Sequence, residues 1–275
     1  MTNLFRVLIL VLLAVLTSTL AFAQTARPQK SGAVRDQKAA SAPAPRHDIS
    51  GTWEPANGPG DGIQANGVKT MPADGKPEHE PPYTPVGLET FKEHKPLEGY
   101  NAVLPAFFND PRDKCEPIGF PRANFYNLRQ TQILQNEYKV VLLYEYAETW
   151  RVVWTDGREL PKDPDPRWYG YSVGKWEDDS TFVVQSNGTD ERTWLDNAGN
   201  PHSNEMRVEE RYHRVNMNTM ELTVTIDDQK AYTKPWVARN KLLLRLMPSN
   251  TDLMEMIPSA SEAAEYKKVF ATPGK

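Results

Sequence analysis

From residue 130 onward the chain reads as a series of turn-punctuated strands. The clearest case is 220–227, where Met220, Leu222, Val224 and Ile226 alternate with Glu221, Thr223, Thr225 and Asp227. A period of two sends successive side chains to opposite faces of a strand, so this segment has one face for a core and one for water. In 138–146 both alternating sets are substantially apolar, which predicts a central strand. Trp150, Val152 and Trp154 share one face of the next strand, and Asp156-Gly157 follows as a turn signal. Residues 168–176 and 181–186 flank Asp178-Asp179 and predict a hairpin. Residues 206–215 and 220–227 predict another, 241–247 a further strand and 253–257 a short final one. No strand–helix–strand repeat has the length a parallel sheet needs. The expected fold class is all-β and mainly antiparallel, a barrel or sandwich of about 8–10 strands with one or two short peripheral helices.

The helix signals lie outside this region. In 85–95, Thr84 can cap, Pro85 suits the first turn, and Leu88 and Phe91 fall on one face. Residues 260–268 predict a terminal helix capped by Ser259 or Ser261, and 96–121 read as loop. Residues 1–23 have the form of a secretory signal: Arg6 supplies a positive charge, 7–20 are apolar, and Ala21-Phe22-Ala23 fits the cleavage rule. Residues 24–46, rich in Ala, Pro, Ser, Lys and Gln, predict a disordered linker. Residues 47–275 predict one β-rich domain, with an irregular Gly/Pro-rich arm at 54–82. The expected location is periplasmic or secreted, with no membrane attachment after cleavage.

The chain carries a net charge of -4, which becomes -5 when Arg6 leaves with the signal. No Lys/Arg stripe interleaves with aromatics, which argues against nucleic acid as a partner. Cys115 is the single cysteine. It cannot form an internal disulfide, so an exported fold must rest on its core. No His neighbours it in sequence, and a buried structural thiol is the expectation rather than a nucleophile.

Candidate chemistry gathers between Trp154 and Trp236. On the strand at 206–214, Glu210 shares the apolar face of Met206, Val208 and Tyr212. A carboxylate facing inward is costly unless it is paired or wetted. It is therefore either a cavity-lining acid suited to proton transfer or half of a buried ion pair with Arg151 or Arg192. The long loop 187–205 holds Asp190, Arg192, Trp194, Asp196 and His202. His202 among carboxylates is a candidate acid/base pair, with Asp190 and Asp196 as partners and Arg192 or Lys234 to stabilise negative charge. The spacing of His202 and Glu205 is too sparse for a metal site, and no metal or cofactor is expected. Trp154, Trp168, Tyr171, Trp194, Lys234 and Trp236 are candidate ligand-binding residues, with half of the tryptophans expected in the core instead. Gly170 and Gly174 leave room on one strand face for a ligand or a neighbouring ring. Asp227-Asp228 reads as a solvated turn.

The stretches TDGRELPKDPDPRWYGYSVGKW, RTWLDNAGNPHS and TIDDQKAYTKPW resemble a family of exported bacterial proteins without an assigned activity. The opening Ser50-Gly51-Thr52-Trp53 resembles the Gly-x-Trp start of lipocalin-like barrels. That second resemblance implies a closed barrel around a small-molecule pocket. The expected function is an exported pocket protein for a small apolar, aromatic or glycosidic molecule, acting as a cofactor-independent acid/base enzyme (hydrolase, isomerase or lyase). The alternatives are a lipocalin-like carrier and an envelope interaction module.

Overall fold

The computed structural model describes residues 42–56, 67–68, 71–72, 74–125, 130–257 and 259–270. The signal segment, most of the linker and part of the Gly/Pro-rich arm lie outside the described residues. Nine strands form a closed barrel: β1 (Gly51–Pro55), β2 (Thr131–Gln135), β3 (Lys139–Tyr144), β4 (Thr149–Trp154), β5 (Tyr171–Trp176), β6 (Thr181–Asn187), β7 (Arg207–Asn216), β8 (Thr219–Asp227) and β9 (Trp236–Leu246). Their order around the barrel is β1-β9-β8-β7-β6-β5-β4-β3-β2. The barrel is thus an up-and-down meander in which β1 bridges β9 and β2.

Alternation sets which side chains point inward. On β7, Val208, Glu210, Tyr212 and Arg214 are buried, and on β8 Met220, Leu222, Val224 and Ile226 are buried. These sets face one another in register, with Val208 opposite Ile226 and Tyr212 opposite Leu222. The strand expected at 138–146 forms as β3 (Lys139–Tyr144), between β2 and β4, with one face buried and the other half-buried. Strand β9 begins at Trp236 rather than Lys241. Register shifts against β8 and a positive φ of 51° at Lys241 interrupt its period of two, which hides its first half from pattern reading.

One junction departs from the meander. The chain bends at Asp156-Gly157 but does not reverse there into a hairpin. It runs through 155–170 and returns so that β5 lies parallel to β4. The two strands pair only at Trp154 and Val173.

The barrel's interior is filled. Trp53, Leu142, Val153, Phe182, Val184 and Met220 pack within it. Helix α2 (Arg122–Phe125), after α1 (Pro85–Glu93), supplies the buried Asn124, and Phe120 just before it joins the core. A cavity among Trp53, Asn124, Ile133, Tyr212 and Leu242 measures 30 Å³, room for about one water. This corrects the expectation of a lumen that encloses a ligand.

The peripheral helices follow their local signals. The Thr84 hydroxyl accepts from the Gly87 N–H at 3.0 Å to cap α1. Ser259 caps α3 (Ala260–Phe270) through the Glu262 N–H at 3.1 Å. Residues 253–257 form no strand; there the Met254 N–H donates to the Glu145 carboxylate at 3.1 Å. The folded part starts before residue 47, since the Ala42 carbonyl accepts from the Met217 N–H and Arg46 pairs with Asp179. Among the described residues, no helix is long and apolar enough to cross a membrane.

Candidate functional site

Strand β4 presents Trp150, Val152 and Trp154 outward, while Arg151 and Val153 point into the barrel. The connection leaving Trp154 returns through Arg167, Trp168 and Tyr169 to β5. Because the return is parallel and the strands pair at one position, the outer face of β4 and the returning segment form the walls of a cleft. Its volume is 730 Å³, and its lining includes Trp150, Trp154, Trp168, Tyr169 and Tyr171. Trp150 is 61% exposed, a large apolar surface left to water.

Arginines lie on these rings. The Arg158 guanidinium sits 3.8 Å from the centre of the Trp154 ring, Arg167 3.9 Å from Tyr171, and Arg192 4.3 Å from Trp168. Asp156 holds Arg158 at 2.6 Å, and Asp190 holds Arg192 at 2.6 Å. The hydrogen bond from Arg192 holds the Asp190 carboxyl below its usual range. Among the described residues, Arg167 has no carboxylate partner. A second cleft, of 690 Å³, lies along the same connection and is lined by Lys162, Asp163, Asp165, Glu205, Asp227 and Lys230. Its charges are of both signs, and Glu205 and Lys230 already pair at 2.9 Å.

The candidate ligand-binding residues divide. Trp154, Trp168 and Tyr171 come together in the aromatic cleft. Trp194 is buried, stacked on His94 at 4.6 Å, with the Arg122 guanidinium over its ring at 5.8 Å. Trp236 is buried against Tyr232 at 5.2 Å. Lys234 is exposed and lines neither cleft. Half of the four tryptophans are therefore core.

The candidate acid/base residues do not converge. His202 is buried; its Nε2 lies 2.8 Å from the Thr193 hydroxyl and its Nδ1 3.1 Å from the Ser203 carbonyl. Burial pushes the imidazole below its ordinary value, with the Ser203 carbonyl and surrounding carboxylates only partly offsetting it. Asp196 is buried and accepts from the backbone N–H groups of Ala198 and Asn200, each at 3.0 Å. Burial raises its pKa. Glu210 is fully enclosed; it takes Arg151 Nη2 at 2.6 Å, the Tyr212 hydroxyl at 2.7 Å and the Asn124 amide at 2.5 Å. The ion-pair reading with Arg151 is thus the one realised. None of His202, Arg192 and Glu210 lines either cleft or the interior cavity.

Other positions differ from the sequence reading. Asp228 is not solvated: it is buried and binds the Ser203 N–H at 2.6 Å and the Ser203 hydroxyl at 2.8 Å. The space at Gly174 is taken by a ring, since a methyl group there would meet Phe182 at 2.3 Å. Among the described residues, no group of three or more His, Cys, Asp or Glu side chains is placed to hold a metal ion. Trp150, Tyr169, Arg158 and Arg167 were not singled out from the sequence. The signal available was an aromatic strand face next to a proline-stiffened segment with Arg at both ends.

No family model, curated protein or solved structure matches the chain.

Proposed function

We propose that this is an exported, non-catalytic binding protein that holds a small, flat, largely apolar molecule in the aromatic cleft beside the β4–β5 junction. The observation that carries this reading is the gathering of Trp154, Trp168 and Tyr171 in one cleft of 730 Å³. That is within the size range of small-molecule sites, and rings with few polar groups are their usual lining. Arginines stacked on three of the rings fix the aromatic planes, so little side-chain freedom remains to be lost on binding. The polar cleft offers no comparable apolar surface. Catalysis by His202 and Glu210 is not favoured, because both are enclosed and engaged by protein groups.

The test is a thermal-shift and tryptophan-fluorescence screen against aromatic, glycosidic and lipid-like compounds, with the recovered ligand checked for chemical change. A flat compound should raise the melting temperature and return unaltered. Trp154→Ala and Trp168→Ala should lower affinity about tenfold or more, from the loss of aromatic contact area. His202→Gln should leave affinity unchanged. Turnover of the ligand, or binding indifferent to both Trp substitutions, would sink this reading.

A further inference from the structure

Behind the aromatic cleft, on the barrel side of β4, lies a group that the barrel leaves half used. Arg151 borders the cleft by its place on β4, while its side chain points into the barrel and is only 2% exposed. Its Nη2 is committed to Glu210 at 2.6 Å, and the Phe120 ring covers the guanidinium at 4.0 Å. Its Nε and Nη1 are buried with no hydrogen-bond partner. The hydroxyl of Tyr144, 4% exposed and facing the interior from neighbouring β3, is also buried without one. Tyr144 pairs with Thr149 across the β3–β4 ladder, two positions before Arg151 on β4. Buried donors without an acceptor cost free energy, and native proteins rarely leave several together.

The strand pairing offers a route to them. β4 and β5 are joined only at Trp154 and Val173, so no ladder with β5 closes the sheet at Arg151. The charge count then decides what can enter. Glu210 already balances Arg151, so the site is donor-rich but close to neutral. At Arg151 a carboxylate would lose its water and meet a positive charge that Glu210 already matches, whereas a neutral oxygen meets only the donors.

We infer that the ligand of the cleft carries a neutral carbonyl group, whose oxygen passes between the splayed strands and accepts hydrogen bonds from one of the two open Arg151 N–H groups, Nε or Nη1, and from the Tyr144 hydroxyl. The ligand class is an aryl ketone, amide or ester, with its ring against Trp154 and Trp168. This inference rests on the cleft being the binding site and adds the chemistry of the groups behind it.

Three probes of matched shape separate the two claims: acetophenone, its isostere α-methylstyrene with a methylene in place of the carbonyl oxygen, and benzoate. Dissociation constants come from NMR titration of the full chain. Acetophenone should bind about tenfold or more tightly than α-methylstyrene, and benzoate no more tightly than acetophenone. The double variant Arg151→Met/Glu210→Gln removes donors and charge together and should abolish the acetophenone advantage while α-methylstyrene still binds. Tyr144→Phe, which keeps the ion pair, should reduce the advantage and serves should the double variant fail to fold. Equal binding of acetophenone and α-methylstyrene, both lost in Trp154→Ala, would overturn the carbonyl inference and leave the cleft standing. Tenfold tighter binding of benzoate would overturn it as well. Failure of all three to bind would count against the cleft itself.

Discussion

His202 has both ring nitrogens engaged by protein groups, and its titration follows from that enclosure. Burial disfavours the imidazolium, as it does for His94, so each folded pKa lies below the ordinary 6.5. Above pH 6.5 both residues are neutral in the folded and unfolded chains, and their contribution to stability is fully present. As pH falls below that value, the unfolded chain takes up protons that the folded chain refuses. Stability is then lost by up to about 1.4 kcal/mol per pH unit for each such histidine, until the folded pKa is reached. His202→Gln should therefore flatten the fall of urea-unfolding stability between about pH 6.5 and pH 5, with His94 supplying what slope is left. An unchanged slope would show that His202 takes up protons alike in the folded and unfolded chains. Glu210 marks how far sequence reaches at this scale. Its inward direction was legible, because a period of two allows no other face beside Val208 and Tyr212. Its partner was only narrowed to two arginines, because Arg151 stands on β4, a strand that does not pair with β7.

At the scale of elements, the hairpin of β5 and β6 shows how one missing side chain sets a packing arrangement. Gly174 stands opposite Val184, and a Cβ there would lie 2.3 Å from the Phe182 ring and 2.8 Å from Val153. Phe182 and Val153 are fully buried, with Trp176 packed against Phe182 at 5.2 Å, so neither can retreat without moving the core. Gly174→Ala should destabilise the protein by about 1–3 kcal/mol through overpacking. The check is a drop in the urea midpoint at constant m-value; a neutral substitution would mean that the ring has room to swing. The long strands of this sheet were legible because each keeps its period over five residues or more, as in β7 and β8. Helix α2 was not. It is four residues long, too short to show a helical period, and it fills the barrel by tertiary contact: Arg122 forks onto Asp110 at 3.1 and 2.6 Å while Asn124 reaches Glu210. Missing that plug is why the sequence reading left the lumen open.

For the whole molecule, the consequential fact is an uneven closure. Eight of the nine junctions around the barrel are antiparallel ladders, and the ninth, between β4 and β5, is a single parallel pair. Sequence could not show this, because Asp156-Gly157 and the proline-stiffened segment after it have the same turn chemistry whether the chain reverses or circles back parallel. A junction with one pair has few hydrogen bonds to break before it opens, whereas β7 and β8 share an unbroken run from Met220 to Asp227. Local opening follows such differences, with the least-bonded segments exchanging through small fluctuations and the best-bonded ones only on global unfolding. Backbone amides of β4 and β5 that face each other should therefore exchange with deuterium well before those shared by β7 and β8. The aromatic cleft is built from the outer side of this same junction, so a ligand held there should slow exchange in β4 and β5 while leaving β7 and β8 unchanged. Uniform protection around the barrel would mean that side-chain packing, with Val153 and Phe182 at its centre, closes the junction as firmly as a ladder does. The cleft would then be a rigid groove rather than the mouth of an opening.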